Sequence, residues 1–114
     1  MFNLDLSPTF WWTVKFTVPR EDGVAHDSHT FDGQFRRMES LAIEELMNRV
    51  GAQRLGDDVI ARELLVGWRG VVDKSNASIA FGPGNLDRVL AIPGVGAAVV
   101  AAFFEAVAKG PGKN

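Results

Sequence analysis

The chain has 114 residues, 46% of them hydrophobic, with 12 Lys plus Arg against 14 Asp plus Glu and no cysteine. That length suits one domain rather than two, and a formal charge of −2 gives polyanions such as nucleic acid no general attraction. Without cysteine there is no disulfide framework, thiol nucleophile or cysteine zinc site, so packing must supply the stability, and a reducing cytoplasm suits the chain.

The opening MFNLDLSPTFWW has an early acid and neither a basic n-region nor a small-residue cleavage site, so no secretory leader is expected. From Phe10 to Val18 the pattern alternates. Phe10, Trp12, Val14, Phe16 and Val18 fall on one face and Trp11, Thr13, Lys15 and Thr17 on the other, which predicts a half-buried strand. Pro19 ends it, Glu21-Asp22-Gly23 turns the chain, and His29, Phe31, Gly33 and Phe35 supply a second strand. The pair reads as an antiparallel hairpin, marginal alone, whose aromatic face must be covered by helices from the rest of the chain.

From about Glu39 to Arg54, Ala42, Ile43, Leu46, Met47 and Val50 recur at spacings of three and four, with Glu45 and Arg49 placed to pair on the outside. This predicts an amphipathic helix. Gly56 breaks it and Asp57 caps a second, in which Ile60, Leu64 and Trp68 at i, i+4 and i+8 place Trp68 in the core near the helix end. Gly67, Gly70 and Asp73-Lys74-Ser75-Asn76 form a loop. Gly82-Pro83 then starts a short helix carrying Leu86, Val89 and Leu90. A last helix, about Pro93 to Lys109, is apolar on nearly every face until Glu105 and must be buried in this domain or in a partner. The uncharged stretch Val89 to Phe104 is interrupted by Pro93, Gly94 and Gly96, so no membrane span is expected. The expected architecture is α+β: one domain over 1–114, an N-terminal antiparallel β-hairpin packed against about four α-helices, with an arm at 1–9 and a loose tail at 110–114.

Few residues offer chemistry. His26-Asp27-Ser28-His29 has the residue types of a metal site or triad. In an extended segment neighbouring side chains point to opposite faces, and zinc needs three or four ligands where only two histidines exist. Glu44-Glu45 diverge by about 100° on a helix, and Asp57-Asp58 read as cap and dipole compensation. No catalytic residue, metal ligand or cofactor site is therefore assigned, and an enzyme is not expected. Ile92-Pro93-Gly94-Val95-Gly96 is similar to the hairpin of helix-hairpin-helix DNA-binding modules, where glycine-turn amides hold a phosphate. With no cation on the following helix until Lys109, a tight corner between helices that needs small residues is the simpler reading. Trp11, on the solvent side of its strand, is either a hot spot for a protein partner or covered by the N-terminal arm or a helix.

The ordered signals carry a resemblance. A Phe10-Trp11-Trp12 strand is followed by a second ending in Phe35-Arg36-Arg37. Then come Leu65-Val66-Gly67-Trp68-Arg69-Gly70-Val71 with an Asp73 turn, Phe81-Gly82-Pro83-Gly84-Asn85-Leu86, Ile92-Pro93-Gly94-Val95, and a helix with Phe103-Phe104-Glu105-Ala106 that leads to Lys113-Asn114. This succession, over roughly residues 10 to 114, resembles the small tail assembly chaperones of long-tailed bacteriophages and prophages. Gly82 departs from the serine-like helix cap more usual there, at little cost because glycine is tolerated at that position.

The resemblance implies a non-enzymatic assembly factor without cofactors, acting in the cytoplasm of the bacterial host and absent from the mature virion. It would bind the tape measure protein, keep it soluble and recruit the tail tube protein. Trp11, with Val100, Phe103, Phe104 and Val107 on the outward face of the last helix, are the expected contacts to partners or to other copies in a homo-oligomer. Such families also make a longer product by ribosomal frameshifting. Lys113-Asn114 encoded as AAA-AAC after a Gly112 codon ending in A would form a slippery run.

Overall fold

The structure is a computed structural model that describes residues 1–53 and 55–109, without the side chain of Lys109. Strand β1 (Thr9–Pro19) pairs antiparallel with β2 (His26–Arg36), and β2 pairs antiparallel with β3 (Leu65–Arg69), so β2 is central. Helices α1 (Ser40–Gln53) and α2 (Asp57–Leu64) lie between β2 and β3, and α3 (Pro83–Leu90) and α4 (Val95–Lys109) follow. The expected α+β class, a hairpin against four helices, is what the described residues adopt. The expected tail at 110–114 lies outside them.

The hairpin follows from its alternation. Val14 is fully buried, Phe10, Trp12, Phe16 and Val18 are half-buried, and Trp11, Thr13, Lys15 and Thr17 are exposed. Gly23 closes the tip at φ 70°, a conformation that glycine adopts without a Cβ penalty, and Arg20 N–H donates to the Ala25 carbonyl at 2.8 Å. Arg20 also pairs with Asp27 at 2.9 Å.

The third strand corrects the sequence reading, which continued α2 as far as Trp68. The helix stops at Leu64, and Leu65 enters the sheet opposite Phe35. A register shift between Gln34 and Phe35 puts one extra residue into β3. Leu65 and Trp68 therefore both reach the core at a spacing of three, which imitates helical periodicity. Trp68 is in the core as expected. Its indole N–H donates to the Ile79 carbonyl at 2.8 Å, and its ring meets Phe31 and Phe81 edge-on at 6.2 and 5.0 Å. That bond ties down the 70–81 segment, itself folded by Ile79 N–H to Val71 and Asp73 N–H to Ala77. Opposite Trp68 in the ladder is Gly33, where an added Cβ would sit 3.0 Å from both the Leu65 side chain and the Phe35 ring.

Helix α4 closes the domain, lying against β1 and α2. Its buried stripe is Val95, Val99, Ala102 and Phe103 at helical spacing. The Ile92-Pro93-Gly94-Val95-Gly96 segment turns the chain by 100° between α3 and α4, with Gly94 at φ 90°. At Gly96 a Cβ would meet the Asp58 amide nitrogen at 3.2 Å, so α4 begins in backbone contact with the start of α2. The expected Glu45–Arg49 pair is replaced by one between helices: Arg49 reaches both carboxylate oxygens of Glu63 on α2, at 2.6 and 2.8 Å. Among the described residues no single helix is long and apolar enough to cross a membrane.

Candidate functional site

The sheet has two unlike faces. The inner one is aromatic: Phe10 lies 5.6 Å from Phe35 and 6.0 Å from Phe103, and Phe35 lies 6.0 Å from Phe103. The outer one is polar and carries Trp11. Register sets Thr13, Asp32 and Arg69 side by side across the three strands. Thr13 donates its hydroxyl to Asp32 at 3.3 Å, and Arg69 donates to the other Asp32 oxygen at 3.2 Å. Thus held, the Arg69 guanidinium lies 4.1 Å from the centre of the Trp11 ring. Trp11 remains 39% exposed, so neither the arm nor a helix hides it, and the group that touches it is a cation from β3. Its neighbour Gln34 fills the space above Gly67 and donates to Thr9 at 3.0 Å.

Around the start of β1 runs an open groove of about 400 Å³ lined by Phe10, Trp11, Trp12, Arg37, Met38, Ala106 and Val107. The Trp12 indole N–H donates to Glu105 at 3.0 Å, joining β1 to α4 beside it. Arg37 lies 5.5 Å from the Phe10 ring centre and donates through Nε to the Ser7 carbonyl at 2.7 Å. A mostly apolar lining with one cation, Arg37, suits a protein surface better than a small charged metabolite.

The five residues expected at the contact surface separate. Trp11 and Val107, the latter 47% exposed, line this groove, while Val100 and Phe104 are half-buried on the flank of α4. Phe103 is not on an outward face: it has no exposed surface and packs on Phe10, Phe35 and Phe104. On a helix apolar all round, the sequence does not distinguish its stripe from that of Val100, Phe104 and Val107. Phe10, Trp12 and Met38 line the groove although the sequence reading assigned them no contact role. The signal available for the first two was their adjacency to Trp11 at the start of an edge strand.

The remaining polar clusters have structural surroundings. Asp27 is taken by Arg20, and His29 sits beside Phe16 with ring centres 5.6 Å apart. Among the described residues no group of three or more His, Asp or Glu side chains is placed to hold a metal ion. The glycine turn before α4 abuts the backbone of Asp57 and Asp58, so a phosphate approaching it would meet an acidic neighbourhood. Comparison with protein-family models, with curated proteins and with solved structures gives no match to this chain.

Proposed function

We propose that this chain is a tail assembly chaperone, a non-enzymatic factor that binds a tape measure protein in the host cytoplasm, keeps it soluble and helps to recruit the tail tube protein. The observation that carries the reading is the apolar groove at the start of β1, with Trp11 on its rim and Val107 on its α4 wall. A long helical client presents an apolar stripe, and such a stripe lies in a groove of this kind through a few anchoring side chains. Three of the segments behind the resemblance support the reading as scaffold. Trp68 pins β3 to the following loop, Asn85 donates to the Ala80 carbonyl at 2.9 Å at the start of α3, and Gly94 turns the chain into α4. Those residues build the frame and leave the groove to the partner.

The test is co-expression with the tape measure protein of a long-tailed phage, followed by pull-down and measurement of its soluble fraction. The expected result is a soluble complex that Trp11→Ala with Val107→Asp weakens by about tenfold or more, with the fold retained because both side chains are partly exposed. A tail protein that stays insoluble and is not captured would refute the reading.

A further inference from the structure

Strand β1 is an edge strand, and the hydrogen-bond parity of the hairpin shows which of its groups lie open. Arg37 N–H bonds the Pro8 carbonyl at 2.8 Å and Arg20 N–H bonds the Ala25 carbonyl at 2.8 Å, both in the register that runs through the ladder. Bonded and non-bonded pairs alternate in an antiparallel ladder. Phe10, Trp12, Val14, Phe16 and Val18 therefore spend their N–H and C=O on β2, whereas those of Thr9, Trp11, Thr13, Lys15 and Thr17 face away from it. Among the described residues, Trp11, Thr13, Lys15 and Thr17 have no backbone partner on that side. An open groove lined by Thr13, Lys15, Ala98, Ala101, Ala102 and Glu105 runs along this edge, its α4 wall mostly alanine.

The same chain carries a segment that fits it. In the arm before β1, Phe2, Leu4 and Leu6 alternate with Asn3, Asp5 and Ser7, a period-two pattern, and the three apolar residues are 72, 83 and 52% exposed. The described hydrogen bonds of residues 3–6 are local, from Asp5 N–H to the Asn3 side chain and from Leu6 N–H to the Leu4 carbonyl. The arm cannot serve its own edge. Arg37 holds the Ser7 and Pro8 carbonyls in line with β1, and a reversal ahead of Ser7 would leave Met1 to Leu4 beside the start of the strand, short of Thr13 to Thr17.

We infer that two copies of this chain pair antiparallel through β1, each extending the strand backwards through its arm along the other's free edge, about a two-fold axis at Phe10. In that register Asp5 of one copy lies opposite Lys15 of the other, Asn3 opposite Thr17, and Thr9 opposite Trp11. Two features set the parity of the pairing, and a third, the Asp5–Lys15 pair, selects this register from the others of that parity. Odd-numbered residues of the arm and of the free edge supply the ladder bonds on both sides, with the Ser7 carbonyl accepting from Thr13 of the second copy beside Arg37 Nε and the Thr9 N–H leaving the Ser7 hydroxyl, and the missing N–H of Pro8 falls where no bond is needed. Phe2, Leu4 and Leu6 join the inner, apolar face beside Val18, Phe16 and Val14. The acid of the arm meets the lysine of the edge twice per dimer, on the outer face. Two three-stranded sheets become one of six strands, and the interface is isologous and closed. This inference does not rest on the function proposed above, and since it sets Trp11, which lines that groove, opposite Thr9 of the second copy, client and second copy compete there.

The test is light scattering and sedimentation of the full chain over a concentration series, with hydrogen exchange read at single amides. The expected protein is a concentration-dependent dimer in which the Trp11, Thr13, Lys15 and Thr17 amides gain protection on association, while those of Trp12, Val14 and Phe16 are protected throughout. Deleting residues 2–6, which lie outside every strand and helix, gives a monomer with those four amides exposed. Asp5→Lys or Lys15→Asp alone weakens the dimer about tenfold, and the two together restore it to within about threefold. A monomer at every concentration up to about 1 mM (a dissociation free energy below about 4 kcal/mol), a dimer indifferent to loss of the arm, or a double exchange no better than either single change would each overturn the inference.

Discussion

Replacing Phe103 by alanine tests whether α4 is a lid of the core or a surface offered to partners. The ring has no exposed surface, and its centre lies 6.0 Å from Phe10, 6.0 Å from Phe35 and 5.2 Å from Phe104, so it joins both strands of the hairpin to α4. Removing a ring so enclosed costs its transfer free energy and leaves a cavity, about 3–5 kcal/mol together. A domain of this size holds about 5–15 kcal/mol in all. Val107, 47% exposed on the same helix, should lose no more than about 0.5 kcal/mol when cut to alanine. Urea unfolding followed by circular dichroism checks both, and a common slope would show that the denatured states are comparable. A Phe103→Ala loss below about 1 kcal/mol, or a Val107→Ala loss equal to it, would refute the assignment of the buried stripe.

Other substitutions probe the frame. Trp68→Phe keeps a ring beside Phe31 and Phe81 but strands the Ile79 carbonyl, and should cost about 1–2 kcal/mol with faster exchange of the Ile79 and Asp73 amides. Gly33→Ala forces a methyl to within 3.0 Å of Leu65 and Phe35; a loss of about 1–3 kcal/mol in chemical denaturation is expected, and a gain would contradict the packing. Gly94→Ala places an L side chain at φ 90° and should lower stability by about 1–2 kcal/mol. Arg69→Ala frees the Trp11 ring, so the emission of that tryptophan should shift while stability falls by less than about 1 kcal/mol.

What could be read from the sequence depended on how unambiguous each period was. The hairpin was legible because Phe10 to Val18 alternates without error, and α1 because its stripe has one face. β3 was hidden by its irregularity: an extra residue between Leu65 and Trp68 gave a strand the spacing of a helix, continuous with Ile60 and Leu64. The orientation of α4 was hidden for the opposite reason, since alanine, valine and phenylalanine all round leave no polar side to mark the outside. Of the candidate site, Trp11 was found by its place on the wrong side of an amphipathic strand. The groove beside it was not, because it joins residues from β1, the segment just after β2 and the end of α4, and only the folded chain brings these together.

The contact between β1 and α4 orders events at the ribosome. Trp12 and Glu105, bonded at 3.0 Å, stand 93 positions apart, and Phe10 finds Phe103 at a like separation. A nascent chain thus displays the aromatic side of this hairpin until α4 has been synthesised, and closure of that side waits on α4 to emerge. Translation that stalled or terminated before α4 would release a sticky fragment, so the codons for α4 decide whether the hairpin is safe to make.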